Sequence, residues 1–433
     1  MQCIGDSYGL TWSRAAATMR PVMPRETISI DLLIFGGGVA GLWLLDEAVR
    51  AGHDALLLEK TALGAGQTIW SQGIIHGGVK YALDGIMNPS AQAIRDMPAL
   101  WRACLAGELE PRLAGVRVRS HHCYLWQTAS LASRMGMMGA RIGLRVAPIV
   151  LNRDERPSVL RDCPGVVARL DEQVIDPASL LAELAARQAD RIALYDADAA
   201  EFVPSGSGSG RGIRLRHPES GTSLELMATT VVLAAGGGNP SLAERFGLPH
   251  ASGEMQIRPL HMALVRGKPD RLPELYGHCV DGGRTRVTIT SAMDRFSRRV
   301  WQVGGEIAER GVKMSSEALR AFCAAELEAV LPGLDISKLE FGAYVAPRAE
   351  RATRDGKRPE GCSFIASHGV IRAWPTKLAL APRLATDILA SLPSPSGRAS
   401  GVVEAMSSWP RPAVAEPPWE TESNWADVRS SPR

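Results

Sequence analysis

Three glycines and one acid near the start of the chain could hold a dinucleotide. Gly36, Gly38 and Gly41 follow an apolar run that ends at Phe35, and they match the pattern G-x-G-x-x-G. In this pattern the first glycine allows a tight turn, the second lets a pyrophosphate approach the backbone, and the third lets a helix pack closely on a strand. Glu59 follows about twenty residues later, where a carboxylate can accept hydrogen bonds from a ribose. An acid rather than an arginine here argues against a ribose 2′-phosphate.

The flanking residues predict the strand, turn and helix that such glycines require. The apolar run from Ile30 predicts a strand, the apolar-periodic run to Ala51 predicts a helix, and residues 54–59 predict a second strand. The N-terminus of the helix would offer unpaired N–H groups to phosphates. A glycine-rich turn that binds nothing is the alternative. The agreement of all these elements favours a dinucleotide site, without deciding which dinucleotide it holds.

A glycine-rich loop follows the second strand. Residues 61–83 contain many Gly, Ser and Thr residues and have no helical periodicity. A loop of this length is usually functional. Gly73, Gly77 and Gly78 allow the backbone to lie against a flat or phosphorylated group. Among them, His76 is either a buried core histidine or an active-site residue.

Together these motifs resemble the D-amino-acid-oxidase-type (DAO) family of FAD-dependent oxidoreductases. Residues 71–81, Ser-Gln-Gly-Ile-Ile-His-Gly-Gly-Val-Lys-Tyr, are similar to FAD-dependent glycerol-3-phosphate dehydrogenases and partly to L-2-hydroxyglutarate dehydrogenases. The resemblance implies that FAD is the cofactor and that this loop crosses its pyrophosphate and then lines the isoalloxazine. It also implies that His76 lies in the active site. Lys80 stands where the glycerol-3-phosphate enzymes more often have Arg, so a 2-hydroxy acid or an amino acid remains open as substrate.

The resemblance implies a larger set of cofactor-binding residues. Ala200 matches a segment that passes the adenine. Residues 229–237 resemble the second FAD motif, in which a buried strand ends near the dinucleotide. The full set comprises Gly36, Gly38, Val39, Ala40, Gly41, Glu59, Lys60, Gln67, Ser71, Gly73, Ala200, Ala235, Gly236, Gly369, Lys377 and Leu378.

The segment from Gly342 to Leu389 resembles the part of the family that closes the active site. The resemblance implies that Arg348 faces the substrate, that Gly369 lies against the flavin, and that a helix from Lys377 points its N-terminus at the pyrimidine edge. Reduced flavin carries negative charge at that edge. A helix N-terminus and a lysine would stabilise that charge.

The chain between these motifs predicts a second domain. Several runs from Met255 to Gly305 have the period of strands and predict an antiparallel sheet. In the family such a sheet covers the flavin, so five of its residues are candidates to face the substrate: His261, Tyr276, His278, Thr288 and Trp301. We further expect a helix that starts at Asp176-Pro177, where Asp is a good N-cap, and helices over 131–138 and 316–330. A strand over 191–203, a Gly/Ser loop over 205–210 and a short helix capped by Asn239 are also expected.

The predicted fold is α/β (α+β overall). A Rossmann-like FAD-binding domain would comprise residues 27–90, 172–248 and 361–392. A discontinuous substrate domain, built on the antiparallel sheet, would comprise 91–171 and 249–360. Residues 1–26 are expected to form a disordered leader. Residues 393–433 are expected to form a Pro/Ser-rich tail whose tryptophans pack on the rest of the molecule.

Composition excludes several classes of protein. The net charge of +3 over 433 residues is too small to indicate nucleic-acid binding. The seven cysteines form no C-x-x-C pair, so we expect neither a metal site nor a disulfide framework, and a reducing, cytoplasmic setting fits best. No apolar run is long enough to span a bilayer, which leaves peripheral membrane association open.

These observations predict an enzyme that transfers a hydride from a CH–OH donor, a 2-hydroxy acid or a glycerol-3-phosphate-like molecule, to flavin N5. Arg348 would bind the anionic group of this small-molecule substrate. His76, or else His261, would take the hydroxyl proton. The electron acceptor would be oxygen, a quinone or another protein. An amino-acid or amine oxidase of the same fold and a non-catalytic flavin-binding assembly protein are the alternatives.

Overall fold

The computed structural model describes residues 26–77, 94–128, 148–203, 210–248, 251–281 and 284–427. Several sequence predictions lie outside these residues. They concern the leader before Glu26, Gly78 and Lys80, the helix expected over 131–138, and most of the Gly/Ser run at 205–210.

Two large sheets, a small two-stranded sheet and the helices packed on them form the regular structure of the described residues. The strands are β1 Glu26–Phe35, β2 Ala55–Glu59, β3 Val118–Ser120, β4 Cys123–Gln127, β5 Ile149–Val150, β6 Val167–Leu170, β7 Val174–Ile175, β8 Ile192–Leu194, β9 Glu201–Val203, β10 Arg211–Arg216, β11 Ser223–Leu233, β12 Met255–Gly267, β13 Gly277–Asp281, β14 Arg284–Met293, β15 Arg299–Gly304, β16 Glu340–Arg351, β17 Ser363–Ser367, β18 Val370–Trp374 and β19 Ala426–Asp427. The helices are α1 Val39–Arg50, α2 Gln67–Trp70, α3 Met97–Leu105, α4 Pro177–Arg187, α5 Asn239–Arg245, α6 Glu306–Gly311, α7 Ser316–Val330, α8 Ala381–Leu389, α9 Val402–Ala405 and α10 Pro418–Thr421.

The first sheet has the order β17-β18-β11-β1-β2-β8, and β10 and β9 extend it from β11. Its central strands β18, β11, β1, β2 and β8 are parallel. Trp43 of α1 and Trp101 of α3 belong to the core on one face, and Phe35 and Phe246 belong to the core on the other. Because these strands are parallel, their carboxyl ends meet at one edge, which is where such sheets bind ligands.

The second sheet has the order β19-β16-β12-β15-β14-β13-β4-β6-β5. Its pairings are antiparallel except for β4 with β13, which is parallel. Residues alternate between the two faces of β12, as the period of a strand requires. Ala263 and Val265 join the core that contains Leu319 and Leu327 of α7, whereas Leu264 packs with Trp419 on the opposite face.

The tail after residue 392 contacts both sheets. In the tail, Pro410 O accepts a hydrogen bond from Leu194 N–H at 2.8 Å, and Ala413 O accepts one from Leu63 N–H at 2.8 Å. Further on, Trp419 is buried and β19 pairs with β16. The expectation that the tail packs on the molecule is therefore correct.

Two local predictions are wrong. The strand expected over 191–203 is split into β8 and β9, which are separated by a turn at residues 197–199. Asn239, expected to cap a helix, is instead the first residue of α5, and its side chain bonds elsewhere. No helix of the described residues has the length and apolar character needed to cross a membrane.

Candidate active site

A cavity of about 1140 Å³ lies where the carboxyl edge of the first sheet meets the second sheet. Gly36 and Ala235, which follow β1 and β11, line it from the first sheet. Met262 of β12, Thr288 of β14 and Arg348 of β16 line it from the second. Both predicted halves of the site therefore open onto one space.

The glycine turn at the end of β1 tolerates no side chain at two of its three glycines. Gly36 has a φ of +106°, and a Cβ there would lie 2.7 Å from Ala234 O. A Cβ on Gly41 would lie 2.0 Å from Gly36 O, so this glycine lets α1 pack on the turn and does not itself line the cavity. Gly38 precedes α1 and lines the cavity. The turn therefore leaves backbone open to a ligand at the N-terminus of α1.

Glu59 holds the glycine turn in place from the end of β2. Its Oε2 accepts a hydrogen bond from Gly37 N–H at 2.7 Å, and its Oε1 accepts one from Lys60 N–H at 2.8 Å. The carboxylate is almost fully buried but lines the cavity, as Lys60 does. Each oxygen of a carboxylate can accept more than one hydrogen bond, so a ribose hydroxyl can still bind here.

The start of the long loop supports the cofactor side of the cavity. Thr68, a residue outside the predicted set, accepts a hydrogen bond from Val39 N–H at 3.2 Å. Gln67 accepts one from Ala349 N–H at 2.9 Å and so joins the loop to β16. Ser71 bonds to Thr68 O at 2.8 Å. Gln67 and Ser71 line the cavity, as do Val39 and Ala40.

The prediction for Ala200 is corrected by the fold. Ala200 is buried away from the cavity, and its carbonyl accepts a hydrogen bond from Arg245 at 2.7 Å. Tyr195, Ala197 and Arg245 line the cavity instead. The turn that separates β8 from β9 explains the shift, because it brings Ala197 forward and turns Ala200 into the core. Burial, together with the charge of Glu59, raises the pKa of Tyr195 to about 12, so its hydroxyl is neutral and can donate a hydrogen bond.

The loop from Gly73 to Gly77 is held by the chain around β7. Ile175 N–H donates to Gly73 O at 2.9 Å, and Ile75 N–H donates to Gln173 O at 2.8 Å. Gly73 has a φ of +71°, and a Cβ there would lie 2.1 Å from Ile175 O. Only glycine fits this close antiparallel approach. The loop backbone is therefore fixed beside the cavity that Gly73 lines.

His76, at the end of this loop, lines the cavity beside a buried carboxylate. Its Nδ1 lies 3.6 Å from Oε2 of Glu172, a residue that is 2% exposed in its side chain. The other carboxylate oxygen accepts a hydrogen bond from Gly77 N–H at 2.8 Å. Nε2 of His278 lies 3.9 Å from the same Oε2, its ring centre lies 5.5 Å from that of His76, and its Nδ1 lies 2.9 Å from the Thr288 hydroxyl. Glu172 was missed because nothing in the sequence links it to a loop almost one hundred residues earlier.

Arg348 of β16 presents a cation to the cavity. Its Nε donates to Arg258 O at 3.3 Å, whereas its buried Nη2 has no hydrogen-bond partner among the described residues. Burial, together with the nearby charges of Arg258 and Arg358, lowers the pKa of Arg348 to about 10. The group is therefore still protonated at neutral pH. A buried cation with a spare donor is well suited to bind an anion.

Two further predictions are corrected. His261 points away from the cavity, and its Nδ1 and Nε2 lie 3.1 Å from Gly311 O and 3.4 Å from the Ser316 hydroxyl. Its neighbours Leu260 and Met262 line the cavity instead, because alternate residues of a strand face opposite sides. Gly369 forms the turn before β18 and lies at the opposite end of that strand from the cavity, which Trp374 lines.

The other candidates on the second sheet divide between the cavity and the core. Thr288 lines the cavity, and His278 lies behind it. Trp301 belongs to the core beneath the sheet and donates to Pro273 O at 2.9 Å. Tyr276 belongs to a smaller core cluster, and its hydroxyl donates to Glu274 at 2.6 Å.

The closing segment reaches the cavity through residues 373–379. Lys377 and Leu378 line it, but the residues that follow form a short 3-10 turn at Leu378–Leu380 before α8 begins at Ala381. The expected helix start is thus displaced by one turn. Asn239, fully buried, accepts from Ala235 N–H at 2.8 Å and donates to Ala373 O at 3.1 Å, which ties the second motif, including Gly236, to this segment.

The fold and site define a class of protein: a two-sheet dinucleotide-binding oxidoreductase whose cavity extends from a glycine turn to a polar surface on the second sheet. Comparison with known proteins identifies the class more closely. The family described as "FAD dependent oxidoreductase" (DAO) matches residues 31–380. The chain therefore belongs to the DAO family of FAD-dependent oxidoreductases.

Individual relatives agree with this assignment. The chain is 38% identical over 408 residues to a probable FAD-dependent oxidoreductase, PA4991, of Pseudomonas aeruginosa, covering 91% of this chain and 98% of the relative. The crystal structure of PA4991 superposes with a TM-score of 0.74 at 35% identity, covering 92% of this chain and 99% of that one. A Mycobacterium tuberculosis glycerol-3-phosphate dehydrogenase 1 is 26% identical over 233 residues, which are 48% of this chain and 42% of the relative.

A further structural similarity concerns the fold alone. The FAD-bound L-α-glycerophosphate oxidase of Mycoplasma pneumoniae superposes with a TM-score of 0.57 at 14% identity, covering 91% of this chain and 98% of that one. The predicted fold, a Rossmann-like domain joined to a second domain on a largely antiparallel sheet, is confirmed.

FAD is the cofactor of this family, and the residues of the cavity fit it. The volume of about 1140 Å³ exceeds the range of about 300–1000 Å³ typical for small ligands. Gly36 and Gly38 leave the backbone at the N-terminus of α1 open to the cavity, and helix N-termini are common phosphate-binding sites. Glu59 and Lys377 present a carboxylate and an ammonium group to the same cavity, as a ribose and a reduced flavin would require.

Proposed function

We propose that the protein oxidises a small anionic CH–OH donor, a 2-hydroxy acid or a polyol phosphate, with FAD as the hydride acceptor. The observation that carries this proposal is that one cavity contains both His76, a base, and Arg348, a cation with a spare donor. An imidazole and a guanidinium on one space match the two needs of such a donor, loss of a hydroxyl proton and binding of an anion.

Each residue has a defined task. Arg348 binds the carboxylate or phosphate and so orients the donor. His76 accepts the hydroxyl proton at Nε2, because its Nδ1 faces Glu172. Loss of that proton would let the C–H bond break and the carbonyl form, and FAD held beside Gly38, Glu59 and Lys377 would supply the hydride acceptor. Leu260 and Met262 provide an apolar wall that keeps water from the reacting carbon.

The proposal is tested by anaerobic reduction of the bound flavin with a panel of 2-hydroxy acids, polyol phosphates, amino acids and secondary amines. We expect an anionic hydroxyl donor to bleach the flavin. Bleaching by amino acids or amines alone would support the oxidase alternative. Failure of the whole panel would support the non-catalytic alternative.

Two variants test the assigned residues with the donor so found. His76→Asn should slow flavin reduction by about 10²- to 10⁴-fold, the usual contribution of a general base. The matched control is His121→Asn, since His121 is exposed. A His76→Asn protein that reduces its flavin at the wild-type rate would contradict the proposal.

A further inference from the structure

We propose that Glu172 is a positioning residue that holds His76 in the tautomer required for proton transfer, with the proton on Nδ1 and the lone pair on Nε2. This inference rests on the proposed function, because it assigns how the base of that reaction is prepared. Three contacts of its carboxylate support it, and they concern the loop backbone, the His76 ring and a second histidine.

The first contact fixes the loop that contains His76. Glu172 Oε1 accepts the Gly77 N–H at 2.8 Å, in line with the two backbone hydrogen bonds that join residues 73–75 to 173–175. Glu172 thus continues the pairing of these segments through its side chain. A carboxylate in this place sets where the backbone of His76 lies.

The second contact concerns the ring. Glu172 Oε2 lies 3.6 Å from His76 Nδ1, which is longer than a hydrogen bond but within the range of an ion pair. A buried carboxylate attracts a proton strongly, since solvent screens it little. The proton of neutral His76 therefore lies on Nδ1, which leaves Nε2 as the acceptor.

The third contact extends the network back to the cavity. His278 approaches the same Oε2 through its Nε2 at 3.9 Å, and its Nδ1 lies 2.9 Å from the hydroxyl of Thr288. With the N–H of His278 on Nε2 and directed at the carboxylate, Nδ1 of His278 accepts a hydrogen bond from the Thr288 hydroxyl. His76 and Thr288, the two ends of this network of side chains, both line the cavity.

A metal site is the competing interpretation, because two histidines and a carboxylate are zinc ligands and their ligand atoms lie within 4.8 Å of one another. In a tetrahedral zinc site with bonds of about 2.0–2.1 Å, neighbouring ligand atoms lie about 3.4 Å apart. The separations of 3.6 and 3.9 Å from Oε2 are both longer. Glu172 Oε1 and His278 Nδ1 are already held by Gly77 N–H and the Thr288 hydroxyl, and the zinc content of the purified protein decides between the two interpretations.

The decisive variant is Glu172→Gln. The amide oxygen can keep the Gly77 N–H, while the amide nitrogen replaces Oε2 and donates to His76 Nδ1, which moves the ring proton to Nε2. The equivalent carboxylate-to-amide change behind the catalytic histidine of serine proteases has this effect. We expect flavin reduction by the donor found in the panel to slow about 10²-fold or more, with little change in the donor concentration that gives half the maximal rate.

A double-mutant cycle separates positioning from general damage. In the His76→Asn background, Glu172→Gln should cause no further loss of rate, because its effect acts through the imidazole. The control is Asp171→Asn, since Asp171 is the exposed carboxylate next in the chain. An equal loss of rate in both backgrounds would overturn the proposal.

A readout that needs no donor keeps this inference distinct from the proposed function. With histidine labelled by ¹⁵N in its ring, the His76 signal is identified by its loss in His76→Asn. We expect an Nδ1–H tautomer in the wild type and an Nε2–H tautomer in Glu172→Gln. The proposal would be overturned if the tautomer were the same in both proteins. It would also be overturned if the wild type contained one equivalent of zinc that the Glu172→Gln protein lacks. If no donor of the panel reduced the flavin, the proposed function would be refuted, but the tautomer assigned to His76 would not.

Discussion

At the scale of single residues, the structure assigns different physical roles to the three motif glycines. Gly36 needs a positive φ, Gly38 borders the ligand space, and Gly41 lies under the turn. Their roles could be expected from sequence because a strand, a tight turn and a helix leave few arrangements. The sequence could not reveal Glu172, since its contact with His76 depends on how two distant loops pair.

Gly41 provides a test of close packing. A Cβ at this position would meet the Gly36 carbonyl, so Gly41→Ala should destabilise the protein by about 1–3 kcal/mol and weaken FAD binding. Urea unfolding and flavin titration of the apoprotein measure the two effects. Gly253→Ala is the control, because nothing lies within 4 Å of its Cβ position. Equal stability of both variants would contradict the packing argument.

Glu59 provides a test of the cofactor side. Glu59→Ala removes the acceptor of the Gly37 and Lys60 N–H groups, so FAD affinity should fall at least about tenfold, through both the lost ribose acceptor and a loosened glycine turn. The loss is measured by flavin fluorescence titration against Glu219→Ala, whose side chain is exposed. Retention of full flavin affinity would contradict this role.

At the scale of elements, strand periodicity predicts where a strand lies more readily than which of its faces meets the ligand. The run around His261 is a strand, as expected, but the cavity side belongs to Leu260 and Met262. A shift of one residue along the strand exchanges the two faces of the sheet. The sequence does not show which of these faces α6 and α7 cover. Gly369 was misplaced for a related reason, because the hairpin of β17 and β18 puts it at the far end of the sheet.

The tail is an element whose function is structural. Trp419 is buried against Leu264, Ala292 and Val300 on the face of the second sheet opposite α7. Trp419→Ala should lower the free energy of unfolding by about 3–5 kcal/mol, as expected for deleting a large buried side chain. Denaturant unfolding of the holoprotein measures it, with the half-buried Trp425→Ala as a milder comparison. A Trp419→Ala protein as stable as the wild type would show that the tail does not cover this face.

At the scale of the whole molecule, buried carboxylates should make stability depend on acid pH. Burial alone would raise the pKa of Asp46 in α1, but hydrogen bonds from Arg187 and Arg50 outweigh it and lower the pKa below its ordinary value of 3.8. Such a group stabilises the fold fully above its unfolded-state pKa, and this stabilisation is lost as the pH falls through the folded-state value.

Asp46→Asn should therefore lose about 1–3 kcal/mol at neutral pH, and the difference from wild type should shrink below about pH 4. Unfolding curves measured across this range test the expectation. Asp387→Asn is the control, since Asp387 forms an exposed pair with Arg383 that contributes little. A difference that stays constant down to the lowest pH would contradict the assigned linkage.

The whole molecule also explains why the cofactor was easier to predict than the substrate. The proposed FAD contacts follow from local motifs at the ends of parallel strands, which sequence patterns record. The proposed substrate surface is assembled from β12, β14, β16 and the loop at His76, and their meeting depends on how the two sheets are joined. Arg348 and His76 are brought to one cavity only by that arrangement.

The central claim is that the site oxidises hydroxyl donors which it recognises by their negative charge at Arg348. The most direct measurement compares anaerobic flavin reduction by the anionic donor and by its uncharged analogue, in wild type, in Arg348→Gln and in the exposed control Arg351→Gln. We predict that wild type and Arg351→Gln prefer the anionic donor, and that Arg348→Gln weakens this preference by about 10- to 100-fold. Equal preference in all three proteins, or equally rapid reduction by the uncharged analogue, would contradict the account.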